Sequence, residues 1–206
     1  MKIFNSDILI KKTSCNCADL PGHQIPPSVN LFAKVTKGCN AHCAFCSNAG
    51  CQSPTSLFDI EKMIRIIYEL KSKGIIVNRM NITGGEPSVV SPLVVRILDA
   101  IDKEHFDDVH LHLNTNGVTV QAQDLMQHPR WDSISMSLHH YDVNRLSDLY
   151  GCEIPAHLLH FTGVDKQKIN FSCNLIKGYI DNKEEVRKML DLTLDTGIRR
   201  IGFVAL

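Results

Sequence analysis

The sequence lacks the features that mark membrane, secreted and nucleic-acid-binding proteins. No apolar run approaches the roughly 18 residues of a membrane span, and residues 1–12 contain no small-residue cleavage site of a secretory signal. We therefore expect a cytoplasmic protein with no membrane partner. Lys and Arg together number 22, and so do Asp and Glu. Nucleic acid is unsupported as a partner, because the chain has no overall positive charge to attract it.

Cysteine, by contrast, is plentiful, with eight in 206 residues. Without a secretory signal, this number argues against a disulfide framework and favours metal ligands or reduced thiols. Cys39, Cys43 and Cys46 are spaced C-x-x-x-C-x-x-C directly after a predicted strand. A structural zinc ion normally takes four protein ligands, whereas a four-iron cluster held by three cysteines keeps one iron open for a small molecule.

Two simpler interpretations of the three cysteines remain open at this point. His42 or Cys51 can complete a zinc site, which would make the chain a zinc-binding interaction module. Alternatively, Cys43 and Cys46 form a C-x-x-C pair typical of a thiol redox protein. The cysteine spacing alone does not decide among the three interpretations.

A second motif follows about forty residues later, where Thr83, Gly84, Gly85, Glu86 and Pro87 end another predicted strand. The two motifs together resemble the radical S-adenosylmethionine (radical SAM) superfamily. Its signature is this cysteine spacing with an aromatic residue before the last cysteine, here Phe45, and a Gly-Gly-Glu motif after the second strand.

Apolar periodicity alternates between that of strands and that of helices along the chain. Period-two patterns predict strands at 31–36, 78–83, 109–114, 134–138, 169–176 and 201–206, and helical spacing predicts helices at 60–70, 93–101, 121–127 and 186–194. Asp59 or Ser56, Ser91, and Asn182 with Glu185 are predicted helix caps. This order predicts right-handed βαβ units and a parallel α/β sheet with its functional loops at the C-terminal ends of the strands.

The six repeats resemble the partial (β/α)6 barrel of radical SAM enzymes from about Leu31 to Leu206, with the last helix missing. Residues 1–30 are predicted to be an irregular lead-in, and residues 31–206 the core domain. Because no helix follows to cover the sixth strand, we expect a fragment or an unusually short family member that associates when expressed alone. Residues 137–145 resemble the cyclic-pyranopterin-synthase and peptide-maturase branch, although His139 stands where those relatives carry an acidic residue.

The resemblance assigns roles to individual residues. Cys39, Cys43 and Cys46 would hold a [4Fe–4S] cluster, whose fourth iron is chelated by SAM. Gly84 and Gly85 would let the backbone approach SAM, and Glu86 would accept a bond from its amine. The remaining candidates for SAM contacts are Phe45 near the adenine, Asn116 at the end of the third strand, Ser135, Ser137 and Arg145 for the carboxylate or ribose, and Asn174 for the ribose.

The resemblance also implies a reaction and its partners. One electron, from a donor such as flavodoxin or ferredoxin, would cleave SAM and give a 5′-deoxyadenosyl radical that abstracts hydrogen from a small-molecule or peptide substrate. His139, His140 and Tyr141 are candidates to face the substrate cavity, although a core role fits each histidine equally well. The other histidines, including His110 and His112, are predicted to be surface or core residues.

The remaining cysteines are expected not to ligate a second cluster, because their spacing offers no four-ligand set. They are Cys15, Cys17, Cys51, Cys152 and Cys173. Iron is therefore expected to be near four atoms per chain.

Overall fold

A six-stranded parallel sheet organises the chain. The computed structural model describes residues 2–3, 6–7, 26–46 and 58–205. The strands of the sheet pair in chain order and are β3 (Ser28–Thr36), β4 (Ile76–Gly84), β5 (His110–Thr115), β6 (Ser133–Ser137), β7 (Ile169–Leu175) and β8 (Ile201–Ala205). β3 and β8 are the outer strands, so the sheet is not closed. The predicted α/β class and partial barrel are confirmed.

Each connection between neighbouring strands of this parallel sheet is a crossover that contains one α-helix. The helices are α1 (Ile60–Ser72), α2 (Ser91–Lys103), α3 (Val120–Met126), α4 (Val143–Tyr150) and α5 (Lys183–Asp195). Because such crossovers are right-handed and the strand order never reverses, all the helices pack against one side of the sheet. None of the helices within the described ranges is long and apolar enough to cross a bilayer.

Short polar side chains begin most of these helices. Asp59 accepts a bond from the backbone N–H of Lys62 at 2.9 Å, and Asn182 accepts from Glu184 and Glu185 at 3.0 and 3.1 Å. These caps satisfy amides that have no partner inside the helix, and both were predicted from sequence. The carboxylate of Glu185 accepts bonds from Tyr141 and Lys188, at 2.7 and 2.9 Å.

Two local predictions are wrong. Ser91 does not cap α2, because a 3₁₀ turn at Pro87–Val90 runs directly into that helix and Ser91 is its first residue. The lead-in is not wholly irregular, because β1 (Lys2–Ile3) pairs with β2 (Ser6–Asp7) and β3 begins at Ser28. The predictions for Cys15, Cys17, Cys51 and Ser56 lie outside the described residues.

The two faces of the sheet differ in chemistry, because alternate side chains of a strand point to opposite sides. Apolar residues such as Ile134 and Met136 are fully buried on the helix side. The opposite side, which we call the polar face, carries Arg79, Asn81 and Thr83 of β4, His110, His112 and Asn114 of β5, Ser133, Ser135 and Ser137 of β6, and Asn170, Ser172 and Asn174 of β7. None of these residues is Asp or Glu.

Candidate functional site

The three cysteines lie in the loop that follows β3, which we call the cysteine loop (residues 37–46). Cys39, Cys43 and Cys46 are free, half-buried thiols. Burial, with the charges of Cys39 and Cys46 adding to it, raises the pKa of Cys43 to about 11, and burial also raises that of Cys39. The three thiols are therefore close enough to influence one another, and the raised pKa values mean that Cys39 and Cys43 ionise readily only beside a compensating cation. This donor set suits a metal cluster.

The positions of the thiols do not by themselves define a metal site. Within the described ranges, no three His, Cys, Asp or Glu side chains are arranged to hold a single metal ion. The cysteine loop does have local order, since the amide of Cys46 donates to the carbonyl of Cys43 at 3.0 Å and that of Ala41 to the Cys39 sulfur at 3.4 Å.

Gly84 and Gly85 join the end of β4 to the cysteine loop by close backbone contact. The amide of Gly85 donates to the carbonyl of Thr36 at 2.9 Å, and the amide of Glu86 donates to that of Gly38 at 2.8 Å. A Cβ at Gly84 would lie 2.4 Å from the Thr36 oxygen, and one at Gly85 would lie 2.0 Å from the Gly38 oxygen. Only glycine fits these positions, so the pair holds the cysteine loop against the sheet.

Glu86 is a buried hydrogen-bond acceptor with 1% of its surface exposed. Its Oε1 accepts from the Ser88 amide at 3.0 Å and the Thr115 hydroxyl at 2.7 Å, and its Oε2 accepts from the Asn116 amide at 2.6 Å. Burial raises the pKa of Glu86, and these bonds counteract that shift. A carboxylate has about four acceptor positions, and the Ser88 side chain also bonds to Glu86, so protein donors satisfy most of this carboxylate.

Asn116 connects Glu86 to the cysteine loop. Its side-chain amide donates to the Asn40 oxygen at 2.9 Å and lies 3.9 Å from the Cys39 sulfur. Its own side-chain oxygen accepts from the Val118 amide at 3.0 Å. The end of β5, the Gly84–Glu86 turn and Cys39 thus meet at one place.

A stack of three rings holds the other side of the cysteine loop. The His139 ring lies edge-on to Phe45 and Tyr150, with centroid distances of 5.0 and 5.6 Å. Burial lowers the pKa of His139 to about 4, and its Nδ1 accepts from the Asn174 amide at 3.1 Å. The ring is therefore neutral at pH 7 and carries its proton on Nε2. The amide of His42 donates to the Tyr150 carbonyl at 2.6 Å, which fixes the cysteine loop to the end of α4.

Comparison with known proteins decides the family. The profile of the radical SAM superfamily matches residues 33–192, which is more than half of the chain. The chain belongs to the radical SAM superfamily. The family predicted from the two motifs is confirmed, and the zinc-module and thiol-redox interpretations are set aside. No curated protein sequence matches the chain significantly.

Solved structures of radical SAM proteins share this fold. SuiB of Streptococcus suis bound to S-adenosylmethionine superposes with a TM-score of 0.65 at 19% identity, over 85% of this chain and 40% of SuiB. The anSMEcpe structure with bound AdoMet and Cp18Cys peptide gives 0.64 at 15%, over 87% and 51%. TYW1 with a lysine-pyruvate adduct gives 0.64 at 16%, over 96% and 70%. The chain thus spans less than two thirds of SuiB and of anSMEcpe.

The other residues predicted to contact SAM occupy two places. Ser135, Ser137 and Asn174 lie on the polar face, on strands β6 and β7. Arg145 is exposed on α4, where its guanidinium donates to the Gly178 carbonyl and lies 4.5 Å from the Tyr179 ring centroid. There it lines a cavity of about 340 Å³ with Tyr141, Glu185 and other residues. The contacts of all four residues with SAM remain predictions.

Several residues of the candidate site escaped the sequence analysis. Thr115, Asn40 and Tyr150 support the cysteine loop or Glu86 without belonging to a motif. Cys152 follows α4, and both burial and Cys39 raise its pKa, which places the two thiols near each other. Cys173 points to the apolar side of β7, where burial raises its pKa to about 12, so it is a core residue.

Proposed function

We propose that the chain is the core of a radical SAM enzyme in which Cys39, Cys43 and Cys46 hold a [4Fe–4S] cluster and the open iron binds SAM. The observation that carries this proposal is the family match together with three half-buried thiols held against the Gly84–Glu86 turn. When bound and reduced, the cluster and SAM supply one-electron chemistry that leads to hydrogen abstraction from a substrate. Flavodoxin or ferredoxin is the proposed electron donor.

The described residues would position SAM rather than perform the bond cleavage. Glu86 is proposed to accept a bond from the methionine amine, which carries a positive charge. Ser135, Ser137, Asn174 and Arg145 are proposed to bind the carboxylate or the ribose, and Phe45 to lie near the adenine. The His139 ring keeps Phe45 in place, because it packs between Phe45 and Tyr150.

The substrate is proposed to be a small molecule or a peptide that lies over the polar face. The peptide alternative is supported by SuiB, which has also been solved with its precursor peptide SuiA in a structure that superposes with a TM-score of 0.61. The polar face supplies amide, hydroxyl and imidazole groups to either kind of substrate.

Reconstitution tests the cofactor. After anaerobic incubation with iron and sulfide, the protein should contain about four irons per chain. Reduction should then give the electron paramagnetic resonance signal of a [4Fe–4S]⁺ cluster, and adding SAM should change that signal because SAM binds iron. A colourless protein that binds one zinc ion would overturn the proposal. About eight irons, lost when Cys15 and Cys17 are both changed, would instead show a second cluster.

Changing Glu86 to alanine tests the amine contact. We expect SAM to bind roughly tenfold to a hundredfold more weakly, because a charge-assisted bond contributes on the order of 1.5–3 kcal/mol. Iron content should stay the same, since the carboxylate does not ligate iron. The measurement is a SAM titration of the reduced, reconstituted variant alongside an iron assay.

Thr115→Val is the matched control for Glu86→Ala. It removes one bond to Oε1 but leaves the carboxylate in place. If Thr115→Val weakens SAM binding as much as Glu86→Ala does, Glu86 acts only by supporting the turn. Unchanged SAM affinity in Glu86→Ala would also rule out the amine contact, and iron loss in that variant would show that the cysteine loop depends on Glu86.

A further inference from the structure

The polar face carries a cluster of basic side chains at the end farther from the cysteine loop. We define this basic cluster as Arg79, His110, His112 and Ser133. The Ser133 hydroxyl lies 2.7 Å from His110 Nε2 and 2.6 Å from His112 Nδ1. A hydroxyl carries one hydrogen, so it donates to one imidazole and accepts from the other. Strand register places Arg79 beside His110 on the same face.

No carboxylate pairs directly with Arg79 among the described residues, although the charge of Asp132 acts on His110. In residues 26–46 and 58–205, Arg79 forms no ion pair. The neighbouring carboxylate of Asp132 is already engaged, since it accepts from the Leu111 amide at 2.7 Å and from Arg130 at 3.4 Å. Burial, with the charge of Arg79 adding to it, lowers the pKa of His112 to about 4. The cluster therefore combines one fixed cation with neutral imidazoles.

These groups suit an oxyanion. A guanidinium presents planar N–H donors that match the geometry of carboxylate and phosphate oxygens. One imidazole can add a further N–H, because each neutral ring has a single N–H and only one of the two donates it to Ser133. Arg79 is exposed, whereas His112 is 9% exposed, so a ligand can reach the guanidinium from solvent while its oxyanion lies against the strand. An apolar ligand would leave these donors without acceptors, and the guanidinium would repel a cationic ligand.

The strands set the distance between the basic cluster and the proposed cofactor site. His112 and Thr115 are three residues apart on β5, which corresponds to about 10 Å of extended chain. The positions between them on the polar face carry Asn114, Ser135 and Asn170, which are uncharged donors and acceptors. A bound molecule would thus have an anionic end, a polar middle and a far end beside the cysteine loop.

From these observations we infer that the substrate is a small polar molecule whose carboxylate or phosphate group binds to Arg79 and to the imidazole N–H of the His110–His112 pair that Ser133 leaves free, with its reacting carbon toward the cysteine loop. The inference rests on the proposed function for the position of the reacting carbon. The anion site itself depends only on the fold and on side chains of the polar face, so the two can fail separately.

The test is a titration of the reconstituted protein with inorganic phosphate and, separately, with acetate, followed by imidazole signals in nuclear magnetic resonance spectra. Saturable shifts of the His110 and His112 signals are expected with at least one anion. The tighter of the two identifies the substrate group as phosphate or carboxylate. Arg79→Gln should weaken binding by about tenfold, because it removes one charge-assisted contact, and Arg79→Lys should weaken it less.

Arg96→Gln is the matched control, because Arg96 is exposed on α2 on the helix side of the sheet. This variant should bind the anion like the parent protein. Equal weakening in Arg96→Gln and Arg79→Gln would mean general charge attraction and would overturn the inference, as would the absence of any shift. Shifts caused by an acidic peptide but by neither small anion would replace the small-molecule substrate with a peptide. The iron and SAM measurements described above test the cofactor independently of these outcomes.

Discussion

Replacing Cys46 by serine is expected to lower the iron content of the reconstituted protein from about four atoms per chain to nearly none. Thiolate is the ligand that iron–sulfur clusters require, and a serine hydroxyl at the same position stays protonated and binds iron poorly. Two cysteines would remain, which do not hold a four-iron cluster. The measurements are an iron assay and the visible absorption of the cluster after anaerobic reconstitution.

Two cysteines provide controls for this result. Cys173→Ala should retain full iron, because the Cys173 thiol is buried on the apolar side of β7. Cys152→Ser should also retain iron, as expected for a residue outside the three-cysteine motif, even though its thiol lies near Cys39. Full iron content in Cys46→Ser would show that this cysteine is not a ligand. Iron loss in Cys152→Ser would add a fourth cysteine to the site.

The sheet could be predicted from local sequence patterns, because burial of one face requires apolar residues at alternate positions of each strand. Leu111 and Leu113 must be apolar to pack under the helices, whereas His110 and His112 alternate with them on the polar face. The same pattern does not reveal which polar residues meet. His112 contacts Ser133 because β5 and β6 pair in one particular register, and the two residues appear unrelated in the sequence.

In the candidate site, too, the sequence predicted the local motifs but not the contacts between distant residues. The three cysteines and Gly84–Glu86 are contiguous motifs, so the sequence identified them. The bond from Thr115 to Glu86 joins residues 29 positions apart, and that from Asn116 to Asn40 joins residues 76 apart. Such contacts exist only once neighbouring strands have delivered their loops to the same edge of the sheet. One missed feature did have a local signal, because Pro87 directly after Glu86 is typical of the first position of a helical turn.

Gly85→Ala is expected to disturb the candidate site more than any change that leaves the cysteines intact. The added Cβ would lie 2.0 Å from the Gly38 oxygen and 2.7 Å from the Lys37 oxygen. Both are backbone atoms of the cysteine loop, so they cannot move aside as a flexible side chain would. The loop must shift, and the bonds from Gly85 to Thr36 and from Glu86 to Gly38 would lengthen or break.

We expect this overpacking to lower the free energy of unfolding by about 1–3 kcal/mol. With a denaturant slope of about 2 kcal/mol per molar urea, the midpoint of urea unfolding should fall by roughly 0.5–1.5 M. Iron content after reconstitution should fall as well, because Cys39 follows Gly38 directly and moves with it. Anaerobic urea titration and an iron assay on the same preparation measure both effects.

Gly202→Ala separates this local clash from a general cost of replacing glycine in the sheet. Gly202 lies in β8, and a Cβ there would have no neighbour within 4 Å. A glycine replaced by alanine without strain tends to stabilise a protein, because it restricts the unfolded chain. The control should therefore match or slightly exceed the parent in both stability and iron content. If Gly85→Ala behaved like Gly202→Ala, the cysteine loop would not rest on the glycine pair, and the contact between β4 and the loop would have no role in forming the cluster site.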